Sequence, residues 1–319
     1  MVPQIKHGWS KPSAILFASE YPPNEKVFAF ALAQALESGA DLIIFHAYDS
    51  PASSMSASSG TSHGAYAEAR AERLLFEPLA QRARDVGIQC RIVVRAGSAI
   101  DEILAFLEGR KIDRLVMGAH TPGPIGKLLV GSVAEAVLRS ARVPVNIVGP
   151  FVVEDAYRRS GSRTILCSVD AHESSHMVAS FAAELAVTHE ARLILQQVVP
   201  PQECVEVLAG RSERQMKDNL FELIPLRLRG KVSVEPTFVI GDPTEELLYE
   251  GRVQKANLIV LGAQGASHFA AVTRAGVVYK VLAYARCPVM TLSPLLLALS
   301  GGTEGTTRLD TVNFLAGVI

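Results

Sequence analysis

The sequence predicts an α/β protein built from two tandem copies of one domain, each an open five-stranded parallel sheet with helices on both faces. Three observations carry that reading. Residues 97–148 align on residues 241–292 at a constant offset of 144 positions without a gap, and 14 of the 52 pairs are identical, where average residue usage gives about three by chance. The identities include Gly97/Gly241, Glu102/Glu246, Val116/Val260, Gly118/Gly262, Val137/Val281, Leu138/Leu282, Arg142/Arg286 and Pro144/Pro288. Short β-rich runs alternate with longer helical patterns in each half, the signature of βαβ units. Finally, 319 residues suit two domains of about 150, each long enough to bury a full core.

In the first half, strands are expected at residues 14–19, 41–47, 89–95, 114–117 and 143–148. Between the first two, Val27, Ala31, Leu32, Ala35 and Leu36 recur at helical spacing, and Gly39 stands where a left-handed glycine ends such a helix. Residues 65–86, 99–107 and 132–140 supply the other helices. The second half repeats the order, with strands near 164–169, 192–198, 232–239, 258–261 and 288–292. Glu20 to Gly97 spans 77 positions and Asp170 to Gly241 spans 71, so the copies differ by six residues upstream of the gapless block. The surplus is expected in 50–62, a Ser/Ala/Gly-rich run too polar to pack. Domains are thus expected at 1–149 and 163–294, joined by a charged linker at 150–162 and followed by an extension at 295–319. The extension has no counterpart in the first half. Its apolar start, 294–299, either packs across a domain seam or joins a subunit contact.

Composition narrows the function classes. Hydrophobic residues make up 49% and charged residues 20%, an ordinary globular balance. No stretch approaches the roughly 18–20 unbroken apolar residues of a spanning helix, and residues 1–11 lack the order of a secretory signal. A cytoplasmic address is expected, without membrane association. Net charge is −1 with no basic stripe, which argues against a nucleic-acid partner. Cys90, Cys167, Cys204 and Cys287 form no C-x-x-C pair and read as buried thiols of a reducing compartment.

Each half ends its fourth strand on a glycine and then runs a loop into a helix. In the first half this is Met117-Gly118-Ala119-His120-Thr121, nine residues from 122 to 130, then Gly131-Ser132-Val133. Such a loop lies where open α/β sheets bind ligands. Glycine admits close backbone approach, and a helix N-terminus favours an anion. A purely structural reading is a tight turn with Ser132 as an N-cap. A Walker A loop is excluded, because Thr121 replaces its first glycine and Leu128 its Ser/Thr. The turns after the first strand of each half lack G-x-G-x-x-G, which argues against NAD and FAD. His172-Glu173-Ser174-Ser175-His176 satisfies H-E-x-x-H, but no third ligand follows and no metal is expected. His46, inside a strand, reads as structural or solvent-exposed.

Five strands per half, an acidic residue closing the first strand, and glycine, two residues, glycine, nine residues, Gly-Ser before a final R-x-P-V strand resemble the universal stress protein family. The resemblance covers about residues 12–149 and 163–293. It implies strand order 3-2-1-4-5 in each half and an intrachain pseudo-dimer, with a homodimer as a candidate assembly. It also implies ATP or another adenine nucleotide as ligand, the acidic residue reaching the adenine end and the glycine loop with its Ser/Thr holding phosphates and ribose. The site residues it implies are Glu20, Gly118, Gly131, Ser132 and the adjoining Val133 in the first half, and Asp170, Gly262, Gly265 and Gly276 in the second; His120 joins them as a candidate from its place in the glycine loop. Neither half holds the whole motif. Thr121 replaces the second glycine in the first half and Glu20 stands for the family's Asp; in the second, Ala275-Gly276 replaces Gly-Ser. The first half is therefore ranked as the phosphate binder. The implied function is a non-catalytic, regulatory stress-response protein. The alternatives are an interaction module without nucleotide, a slow ATPase, and a Zn hydrolase using His172, Glu173 and His176.

Overall fold

The computed structural model describes residues 10–49, 62–119, 130–158, 163–170, 174–204, 212–262 and 276–301. The first half runs β1 (Ala14–Ala18), α1 (Glu25–Ser38), β2 (Asp41–Tyr48), α2 (Ser62–Leu75), α3 (Glu77–Asp85), β3 (Cys90–Ala96), α4 (Ala99–Gly109), β4 (Arg114–Gly118), α5 (Ser132–Ser140) and β5 (Val145–Val148). A short α6 (Asp155–Arg158) precedes the second half. That half runs β6 (Arg163–Val169), α7 (Ser175–Thr188), β7 (Ala191–Val199), α8 (Glu213–Glu222), β8 (Val234–Ile240), α9 (Pro243–Val253), β9 (Leu258–Gly262), α10 (Val277–Tyr284) and β10 (Val289–Leu292), with α11 (Pro294–Gly301) after it.

Local chemistry sets these limits. Asn24 caps α1 by accepting from the Lys26 and Val27 N–H groups at 3.0 and 3.3 Å, and Gly39 ends the helix at φ 70°. The single helix expected over 65–86 is instead two, α2 and α3, broken at Phe76. Pro78 stands in the first turn of α3, where it has no N–H to donate and its ring crowds the carbonyl four residues back. The repeated Gly/Glu pair also has a packing cause. A Cβ on Gly97, whose φ is 141°, would meet the Glu102 side chain at 3.1 Å, and one on Gly241 would meet Glu246 at 2.8 Å.

Each half has the order 3-2-1-4-5, and the two sheets join into one of ten strands, β3-β2-β1-β4-β5-β10-β9-β6-β7-β8. Among the described residues every strand pairing is parallel except β5–β10, which is antiparallel with Ile147 opposite Val289, Asn146 opposite Met290 and Val145 opposite Thr291. Asn146 and Met290 are equivalent at the offset of 144, so a pseudo-two-fold axis passes between them.

The two faces of this sheet differ. On one, a single apolar core runs through both halves, joining Leu16, Ile43, Leu115 and Val145 to Leu166, Ile194, Ile259 and Val289. On the other, Phe17, Phe28 and Phe76 form one core and Cys167, Phe181 and Leu195 another. The stretch expected as a charged linker packs along the seam: Val152 and Ala156 are buried, Tyr157 meets Phe30 edge-on, and Asn257 Nδ2 donates to the Ala156 carbonyl at 2.7 Å. The apolar tail packs across the seam too. Ser293 Oγ donates to the Ala141 carbonyl at 2.5 Å and accepts from the Leu296 N–H at 3.0 Å, while Leu296 and Leu297 are buried.

Cys167 and Cys287 are buried as expected, but Cys90 and Cys204 are half-buried. Burial pushes the Cys287 thiol up to about 12 and Cys90 up to about 11. No helix among the described residues is long and apolar enough to cross a membrane.

Candidate functional site

In the first half, a cavity of about 410 Å³ opens at the carboxyl ends of β1 and β4, where the strand order reverses. That is the usual ligand position in open α/β sheets, and the volume lies in the ordinary range for small-molecule sites. Five of the expected residues, Glu20, Gly118, Gly131, Ser132 and Val133, line it together. His120 lies outside the described residues. The sequence reading missed much of the wall, including Phe17 from β1, Phe45 and Ala47 from β2, and Ala99 and Ile103 from α4. A signal for the β2 pair exists in principle, since residues at the carboxyl end of the strand beside β1 must flank this crevice.

The N-terminus of α5 forms one side. Gly131 is its N-cap, at φ −61° and ψ 155°, and Ser132 is the first helical residue rather than the cap. Ser132 is exposed and its hydroxyl is not spent on capping. The Glu135 N–H bonds the Gly131 carbonyl at 2.9 Å, which leaves the preceding N–H groups of the first turn without intrahelical partners. Those groups and the helix dipole favour an anion at this point.

Gly118 has two roles. It lines the cavity, and a Cβ there would lie 3.2 Å from Val27 Cγ2 of α1. The equivalent Gly262 is tighter, with Val178 Cγ2 at 2.9 Å and Leu297 of α11 at 3.9 Å. Part of the repeated glycine signal therefore records helix packing.

The acidic turns differ. Glu20 is exposed at the rim, and no hydrogen bond or ion pair from a described residue engages its carboxylate. Asp170 instead accepts from Ser175 Oγ at 2.6 Å, and its own N–H donates to that oxygen at 3.0 Å. Gly276 caps α10 at φ −63° and ψ 156°, so that helix opens on Val277 with no hydroxyl in its first position. Gly265 lies outside the described residues.

His172 and Glu173 of the H-E-x-x-H match also lie outside them. His176 Nδ1 donates to the Leu223 carbonyl at 3.0 Å, anchoring the first turn of α7 to the end of α8. Among the described residues, no cluster of three or more His, Cys, Asp or Glu side chains could hold a metal ion.

A smaller cavity of about 50 Å³ lies between α1 and α7 on the divided face. Glu37 of α1 reaches across to Arg163 and, at 2.5 Å, to His189 Nδ1. Arg114 is wholly buried beside it, pushed down to about 10 by that burial, and donates to Gln34. Burial, then the Arg114 and Arg163 charges, hold His189 down to about 4. These groups bind the halves together and make no opening of the size a nucleotide needs.

The profile of the Universal stress protein family matches residues 14–149 and 161–293. Two universal stress proteins of Methanocaldococcus jannaschii are similar in sequence. One is 29% identical over 73 residues, 23% of this chain and 45% of that protein. The other is 35% identical over 66 residues, 21% of this chain and 39% of that protein. The chain thus spans less than half the length of these curated relatives. Among solved structures, a universal stress protein from Archaeoglobus fulgidus DSM 4304 superposes with a TM-score of 0.66 at 18% identity, covering 89% of this chain and 97% of that one. A functionally unknown protein from Pseudomonas aeruginosa PAO1 gives 0.61 at 15% identity, covering 93% and 99%. At these identities the likeness is one of fold.

Proposed function

The chain belongs to the universal stress protein family, and on that premise we propose that its first half binds an adenine nucleotide without rapid turnover, as a regulatory stress-response protein of the cytoplasm. The observation that carries this reading is the first-half cavity, which collects Glu20, Gly118, Gly131, Ser132 and Val133 at the point where the strand order reverses. Its volume of about 410 Å³ and its apolar wall of Phe17, Phe45, Ile103 and Met117 suit a flat base. Glu20 at the rim would accept from the adenine end, and the α5 N-terminus with the Ser132 hydroxyl would meet phosphate. In this reading the domains keep the limits 1–149 and 163–294. Asp170, Gly262, Gly265 and Gly276 belong to a degenerate copy, because the Asp170 carboxylate is already engaged by Ser175.

Slow turnover follows from what phosphoryl transfer requires, namely cationic charge and metal on the γ-phosphate and a positioned attacking water. The described residues lining the cavity include no Lys or Arg. No metal is assigned to the site.

Titration calorimetry with ATP, ADP and AMP tests the assignment. Ser132→Ala removes a hydrogen bond to a charged group, worth about 1.5–3 kcal/mol, and should weaken binding at least tenfold. Asp170→Ala should leave it unchanged. The opposite pattern would move the site to the second half, and absence of binding by the wild type would leave an interaction module. Multiple-turnover hydrolysis faster than about 1 s⁻¹ would make the protein an enzyme.

A further inference from the structure

We propose that His46 is a positioning residue for the first-half site: it holds the acidic turn by its backbone and so leaves the Glu20 carboxylate free to meet a ligand. The inference rests on the nucleotide reading of the cavity. His46 sits near the end of β2, 7% exposed, and its Nδ1 lies 2.9 Å from the Ser19 carbonyl oxygen. A carbonyl only accepts, so Nδ1 carries the proton and donates. The Ser19 N–H donates in turn to the Phe45 carbonyl at 3.0 Å, so Ser19 is bound to β2 through both backbone groups.

The residue on the other side of Glu20 is held as well. Tyr21 packs edge-on against Phe76 at 6.0 Å, and Phe76 lies 4.9 Å from the His46 ring. Phe76 is fully buried at the break between α2 and α3. Glu20 therefore projects from a turn whose two neighbours rest on the same buried pair of rings. None of these contacts uses its carboxylate.

The second half holds its acidic turn differently. Strand register places Leu42 opposite Ile15 and Leu193 opposite Ile165, so Gln197, four residues beyond Leu193, takes the place of His46. There the turn is fastened by Ser175, which engages both the N–H and the carboxylate of Asp170. A carboxylate that accepts from a neighbouring hydroxyl has given up part of its capacity for a ligand. The first half fastens the same turn from behind.

Adenosine and AMP binding, measured by calorimetry on the full chain with thermal unfolding in parallel, tests this. His46→Ala should weaken binding about tenfold, and His46→Asn, whose amide can place a donor near the Nδ1 position, should restore it to within about threefold. His46→Gln, which carries its donor farther out, should not. If His46 acts through Glu20, the losses in His46→Asn,Glu20→Gln and His46→Ala,Glu20→Gln should equal the loss in Glu20→Gln alone rather than add to it. Should His46→Ala fail to fold, the Asn and Gln variants decide by themselves. Equal affinity in the wild type and all His46 variants would overturn the inference while leaving the nucleotide reading intact. So would equal losses in Asn and Gln, or additive losses with Glu20→Gln. A wild type that binds neither adenosine, AMP nor ATP would overturn both.

Discussion

Gly149 passes so close to the Leu282 carbonyl that a Cβ built on it would lie 2.5 Å from that oxygen. Gly149 follows β5 and Leu282 lies in α10, so the contact joins the two halves. The equivalent position across the pseudo-two-fold axis is Ser293, whose hydroxyl donates to the Ala141 carbonyl of the first half. One side of the seam is closed by omitting a side chain, the other by a hydrogen bond. Gly149→Ala should destabilise the protein by about 1–3 kcal/mol, as overpacking does in well-packed interiors. Gly109→Ala, with nothing within 4 Å of the new Cβ, should be neutral or stabilising by up to about 1 kcal/mol. Urea unfolding of both variants checks the difference, and equal midpoints would refute it.

His189 should make the protein acid-sensitive. Its pKa in the fold is about 4, against an ordinary 6.5, so between those values the unfolded chain binds one proton more than the folded one. Stability therefore rises with pH across that window. The contribution is fully present above about pH 6.5 and is lost as pH falls toward 4. Its size is roughly 3 kcal/mol at most, since the Glu37 carboxylate at 2.5 Å pulls the other way. His189→Gln should flatten the stability profile between pH 6.5 and 4, and an unchanged profile would remove His189 from the account.

Ser175→Ala separates a structural bond from a binding role. It deletes the hydroxyl shared by the Asp170 N–H and carboxylate and should cost about 1 kcal/mol. Nucleotide stoichiometry should stay at one per chain. A second equivalent of bound nucleotide in this variant would mean that the second half is a working site restrained by Ser175.

His176→Ala should cost about 1 kcal/mol by freeing the Leu223 carbonyl, with no change in metal content. Stoichiometric zinc in the purified wild type, lost in this variant, would revive the H-E-x-x-H reading.

The alternation of strands and helices was legible because it depends on local periodicity, and the duplication because β4, α5 and β5 keep one offset from β9, α10 and β10. The break at Phe76 was encoded by Pro78, but Leu74, Leu75, Leu79 and Ala83 are spaced across it as the core face of one helix; Leu79 and Ala83 are buried, whereas Leu74 and Leu75, before the break, are exposed. The joining of the sheets was less visible. Apolar runs such as Val145–Val148 and Val289–Leu292 say that a strand is buried, not which strand covers its edge. At the site, Gly118, Gly131 and Ser132 announced themselves by spacing. The part played by His46 did not, since its partner Ser19 stands 27 residues earlier and contributes a backbone carbonyl, which carries no residue identity.

The antiparallel junction of β5 and β10 makes pairing independent of concentration, because each copy carries its counterpart on the same chain. Dilution that would dissociate a symmetric dimer leaves this pair assembled. Symmetry is the constraint that falls away with it. In a homodimer every substitution enters both subunits at once, whereas here Gly149 of one copy corresponds to Ser293 of the other and His46 to Gln197. The two copies can specialise in different directions while remaining in a fixed one-to-one ratio.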